Sequence, residues 1–132
     1  MRKLTLLCLL LLSSSLWLKG QDKSLNGKWF LEEIVLKDSI IHPERNKFYL
    51  VFDGVEILFN KEKNRCGMTA TIQNNLISDC YGSCTKICCD EWYGTTSQYF
   101  NANGSYEIKG SILELKNKWG LLKYRKSTPK DD

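Results

Sequence analysis

Short runs of strand-forming residues, separated by two-residue turn signals, recur from Lys28 to Arg125, and that rhythm restricts the chain to an antiparallel β architecture. WFLEEIVL (29–36) and KFYLVF (47–52) are rich in aromatic and branched residues and read as strands. VFDGVEILF (51–59) doubles back at Asp53-Gly54, a pair suited to a type I′ turn, and Val55, Ile57 and Phe59 then alternate with Glu56 and Leu58. MTATIQNNLIS (68–78) pivots on Asn74-Asn75, residues that tolerate the left-handed region, with Met68, Ala70 and Ile72 on one face. SYEIKGSILELKNKWGLLKYR (105–125) supplies three short strands turning at Lys109-Gly110 and Asn117-Lys118. Its Tyr106/Ile108 and Leu113/Leu115 pairs recur with period two. Between the first two strands SIIHPERN (39–46), with Pro43, reads as a loop. The expectation is a mainly β (α+β) domain: an antiparallel meander with one face covered.

The helical component comes from one segment. In DEWYGTTSQYFN (90–101), Trp92, Thr96, Tyr99 and Phe100 fall at i, i+4, i+7 and i+8, while Asp90 and Glu91 lie where a helix dipole favours negative charge. The spacing predicts one short amphipathic helix capping an end of the sheet, at a cost of about 1 kcal/mol for Gly94 inside it. KSTPKDD (126–132) has no apolar content and reads as a disordered tail.

The beginning of the chain speaks to compartment. Arg2 and Lys3 precede an apolar run from Leu4 to Leu12, extended through three serines to Leu18, which is the form of a secretory signal peptide cleaved near Gly20/Gln21. A spanning helix needs about 20 predominantly apolar residues, more than this run supplies. The expected organisation is a signal peptide over 1–20, one β domain over 21–125 and the tail over 126–132. The product is secreted or periplasmic and has no transmembrane segment once the leader is removed. Cleavage leaves 112 residues, with 16 basic against 15 acidic side chains. No basic stretch with interleaved aromatics remains to follow a phosphate backbone, so nucleic acid is not an expected partner. Lys61, Lys63 and Arg65 alternate with Glu62 and Asn64 and read as a solvated turn.

Of six cysteines, four fall in CYGSCTKICC (80–89), and a fifth, Cys66, lies in the strand region upstream. Zinc sites bring cysteines or histidines in close pairs, a spacing absent here, and there is no C-x-x-C redox motif. Export favours structural disulfides. Cys66, Cys80, Cys84, Cys88 and Cys89 form at most two bridges. Cys66 is expected to join Cys88 or Cys89, fixing the start of the helix to the sheet, and a second bridge to join two of Cys80, Cys84 and the remaining cysteine. Adjacent Cys88 and Cys89 are poorly placed to bond each other.

LNGKWFL (25–31), YLVFDGVEILF (49–59), TKICCDEWYGTTSQYF (85–100) and YEIKGSILEL (106–115) together resemble the META-domain group of small lipocalin-like exported bacterial proteins. The resemblance spans roughly 25–125 and implies that the meander is partly or fully closed into a small β-barrel. Gly27-x-Trp29 also resembles the first stretch of lipocalins, which implies that Trp29 closes one end, with Arg125 packed over its indole in a cation–π contact. Arg65-Cys66-Gly67 departs from the glycine-cysteine-asparagine stretch of that family. Trp29, Phe48, Phe52, Phe59 and Trp119 have two uses in such a fold: lining a pocket for an apolar ligand, or filling the core.

No catalytic constellation accompanies this framework. His42 is the only histidine and precedes Pro43 in a polar loop, and no G-x-S-x-G stretch is present. Glu32 and Glu33, adjacent on a strand, are expected on opposite faces. Asp90-Glu91 serve a helix start. Asn103-Gly104-Ser105 forms a glycosylation sequon or a tight turn. The expected function is therefore non-enzymatic and without cofactor or metal: binding of a small apolar ligand or of an envelope protein. The alternative is a cysteine-dependent protein that binds metal or exchanges thiols at 80–89.

Overall fold

A computed structural model describes residues 22–61, 63–85, 99 and 101–131. The leader over 1–20, nearly all of the helix expected over 90–101, and Cys8, Cys88 and Cys89 lie outside these residues. One 3-10 turn, Lys23–Leu25, precedes nine strands: β1 (Gly27–Val35), β2 (Ile40–Ile41), β3 (Phe48–Asp53), β4 (Glu56–Lys61), β5 (Asn64–Gln73), β6 (Leu76–Cys84), β7 (Gly104–Lys109), β8 (Ile112–Lys116) and β9 (Leu121–Lys126). Each strand from β3 onward pairs antiparallel with the next, β1 pairs with β3, and β9 returns to β1. The result is a closed eight-stranded antiparallel barrel with β2 as an extra strand on β1. Closure removes the exposed strand edges of an open sheet.

The turns explain the register. Gln73 pairs with Leu76, so Asn74 and Asn75 form a two-residue loop with φ of 52° and 56°, the type I′ geometry. At the β3–β4 hairpin Asp53 pairs with Glu56, and the loop is Gly54-Val55, one residue later than the sequence predicts. Only Gly54 has positive φ there (62°), the type II′ pattern, because a branched valine resists the left-handed region that a type I′ turn would require.

Two irregularities bend the wall. A bulge between Leu31 and Glu33 in the β1–β9 pairing breaks the strict alternation expected at Glu32-Glu33, and both carboxylates face outward. Glu32 accepts from Arg125 Nε at 2.9 Å and Glu33 pairs with Lys123 at 3.0 Å. A second bulge sits where Asp79, at φ 53°, lies opposite Thr69–Thr71. Past it β6 continues to Cys84, well beyond the end at Ser78 that the sequence predicts, and Gly82 passes so close to β5 that an added Cβ would lie 2.1 Å from the Gly67 carbonyl oxygen. Ile40 and Ile41, read from sequence as loop, form β2.

Inward-facing side chains fill the barrel. Trp29, Leu50, Leu113, Leu115, Leu122 and Tyr124 are fully buried, with Phe48, Phe52, Ile57 and Phe59 beside them. Each large apolar side chain so buried contributes about 1.5–3 kcal/mol. The Tyr124 phenol is pushed well above its ordinary pKa by burial.

Residues 127–131 are tied back to the wall by contacts that their apolar-poor composition does not announce. The Ser127 amide donates to the Lys28 carbonyl at 2.8 Å. Asp131 accepts from Arg125 Nη1 and Nη2 at 2.9 and 3.1 Å, and from the Thr128 amide at 2.7 Å. The Arg125 guanidinium, then Thr128, hold the Asp131 carboxyl far below the usual carboxylate range. A depressed folded pKa means the tie contributes fully above the unfolded value, about 4, and is lost as pH falls through the folded one. The Asp131 carboxyl carbon is therefore expected to titrate well below pH 4 by NMR; an ordinary titration near pH 4 would contradict the tie.

Candidate functional site

The barrel has a closed foot built around Trp29. Asp22 caps the 3-10 turn by accepting from the Ser24 amide at 3.0 Å, and Trp29 Nε1 donates to the Leu25 carbonyl at 2.8 Å. Leu25 is itself buried, so the turn seals this end. The cation over the indole is Lys126, with Nζ 5.1 Å from the ring centroid; it stands where the family resemblance implies Arg125. Strand alternation is the reason. Trp29 pairs with Lys126, whereas Arg125 pairs with outward-facing Phe30 and lies over that ring at 5.4 Å.

Four of the five aromatics considered for ligand binding, Trp29, Phe48, Phe52 and Phe59, share the interior and are buried there. Trp119 is separate: it lies in the β8–β9 turn, 44% exposed, edge-on to Tyr99 at 6.0 Å. Asn117 orders that turn by accepting from the Trp119 and Gly120 amides.

At the other end of the barrel a disulfide joins Cys66 to Cys84. The two residues pair directly across β5 and β6, which corrects the expectation that Cys66 bonds Cys88 or Cys89. Because β6 runs through Cys84, the hairpin register places Cys84 opposite Cys66. Cys80 is a free thiol, partly buried against the core. Burial first, and the neighbouring Asp79 charge second, push its pKa up, away from the thiolate form that exchange chemistry and metal binding need. Lys61, opposite Phe48, points inward, and burial lowers its pKa; the solvated-turn reading missed this because β4 continues through it. Buried Asn64 beside it accepts from Thr85 Oγ1 at 3.2 Å.

The outer wall carries a second feature. A cavity of about 450 Å³ opens over β4, β5 and β6, lined by Glu56, Leu58, Gly67, Thr69 and Tyr81. Gly67 pairs with Leu58 and, having no side chain, forms the floor. Leu58 is 54% exposed and Tyr81 83% exposed. Leu58 was visible in the sequence as the apolar residue out of phase with Ile57 and Phe59, a position that solvent-facing alternation leaves to polar residues. Tyr81 was hidden within the cysteine cluster.

His42 is exposed in the loop after β2, and Asn103 is exposed just before β7. Among the described residues no group of three or more His, Cys, Asp or Glu side chains is placed to hold a metal ion, and no helix is long and apolar enough to cross a membrane. No family model, curated protein or solved structure matches the chain. The class that fold and site define is a disulfide-bearing antiparallel β-barrel, and bridges of this kind persist in oxidising environments.

Proposed function

We propose that this is an exported, non-catalytic binding domain of lipocalin-like, META-domain type that engages a protein partner through the outside of its barrel. The observation that supports it most is the close packing of the described interior side chains. Trp29, Leu50, Leu113, Leu115 and Leu122 leave each other no exposed surface, so an apolar ligand along the axis would have to displace core side chains. Among the described residues, open apolar surface lies on the outside, at Leu58 and Tyr81 in the groove and singly at Ile40, Val55, Leu76 and Trp119. The Trp29 end closure supports the lipocalin-like part of the reading, and the bridge supports export. Burial of Cys80 counts against the cysteine-dependent alternative.

Native mass spectrometry and thermal shift of the mature protein against long-chain fatty acids test the choice between carrier and surface binder. The expected result is no retained fatty acid and no rise in Tm. A one-to-one complex that raises Tm would overturn the reading in favour of a carrier.

A further inference from the structure

The outer groove is bordered at one end by Glu56, with Asp53 facing Glu56 from β3 just beyond the lining. Asp53 and Glu56 pair directly across β3 and β4, and the same row continues through Thr69 on β5 to Tyr81 on β6. Both acids are exposed, and among the described residues neither side chain has a hydrogen-bond or ion-pair partner. Like charges directly opposite destabilise a sheet. Several other acids of the barrel are answered by a cation: Glu33 pairs with Lys123 at 3.0 Å, and Lys109 bridges Glu107 and Glu114 at 3.3 and 2.9 Å. At Asp53 and Glu56 no cation among the described residues does so, and Glu56 shares the groove lining with Tyr81, the most exposed of the large hydrophobic side chains described.

We infer that this face docks a basic extended segment of a partner protein, one in which a lysine or arginine adjoins an apolar or aromatic residue. The inference rests on the surface-binding reading above and specifies its partner. The segment's ammonium or guanidinium lies at Asp53 and Glu56, and its aliphatic stem runs over Leu58 and the Gly67 floor, the way long cationic side chains cover apolar surface. Its apolar neighbour rests on the Tyr81 ring. Gly67 is what makes room, since any side chain there would fill the floor of the groove. Arg65, one outward position further along β5, gives the groove a polarity by repelling a second cation at that end. The carboxylates repel anionic lipid and nucleic acid, so charge complementarity selects a basic protein segment.

Short synthetic peptides carrying an aromatic-lysine pair, compared with the same peptides carrying glutamate for lysine, test this by titration calorimetry on the whole mature protein. The lysine peptides are expected to bind and to weaken as salt is raised. An Asp53→Asn/Glu56→Gln double variant should lose about tenfold in affinity, and Tyr81→Ala a similar factor. All three positions are exposed, so circular dichroism should show wild-type folding for both variants. Equal binding of the glutamate peptides, unchanged affinity in the double variant, or no binding by either set would overturn the inference. Binding of glutamate peptides at Tyr81 would sink the basic-partner assignment and leave surface binding standing, whereas fatty acid retention would remove the surface-binding reading itself.

Discussion

Replacing Trp29 with alanine is expected to cost about 3–5 kcal/mol, the range for deleting a fully buried aromatic. Three things are lost together at this position. The indole is fully buried, its Nε1 bond holds the 3-10 turn across the foot of the barrel, and Lys126 loses the ring it covers. A small domain has about 5–15 kcal/mol in all, so this single change should leave the fold marginal. Two milder variants divide the effect. Trp29→Phe keeps most of the burial and loses the hydrogen bond, worth about 1 kcal/mol, and Lys126→Met removes the cation, worth about 0.5–2 kcal/mol. Guanidinium unfolding followed by far-UV circular dichroism reads all three. A loss below about 1 kcal/mol for Trp29→Ala would mean that the foot is not sealed as described.

The Cys66–Cys84 bridge carries the second large effect. It closes 18 residues of chain around the β5–β6 hairpin, and chain-entropy reasoning assigns about 3 kcal/mol to a loop of that order. The Cys66→Ala/Cys84→Ala double variant should lose roughly that amount, with the loss concentrated in the end of the hairpin remote from the Asn74-Asn75 turn. Amide exchange should accordingly rise at Gly67 and Ser83 more than at Ile72 and Ile77, the pairs nearer the turn. Peptide mapping under non-reducing conditions provides the covalent check: a Cys66–Cys84 linked peptide is expected, and Cys66 found on Cys88 or Cys89 would contradict the register.

The strand rhythm was legible because local chemistry dictates it. Asn74-Asn75, Gly54 and Gly110 can enter the left-handed region cheaply, and the alternating Ile57/Phe59 and Leu113/Leu115 pairs declare which face is buried. Closure of β9 on β1 was foreshadowed only as a resemblance, since no local pattern says that Trp29 will pair with Lys126 across nearly the whole domain. A bulge is equally silent in sequence: nothing in EE at 32–33 distinguishes two outward carboxylates from one in and one out. The same limit applied to the cysteines. Their spacing excluded a zinc pattern, but the partner of Cys66 depended on where β6 ends, and that end is set by β5 lying beside it. The groove was the least legible feature, because it needs Leu58, Gly67 and Tyr81 from three strands in one register.

On the proposed reading the interior of this barrel is structural and its working surface is outside, and a methyl NMR titration addresses that division directly. With leucine methyls labelled, saturation with an aromatic-lysine peptide should shift Leu58 while Leu50, Leu113, Leu115 and Leu122 stay in place. Movement of the four interior leucines with Leu58 unchanged would contradict the account.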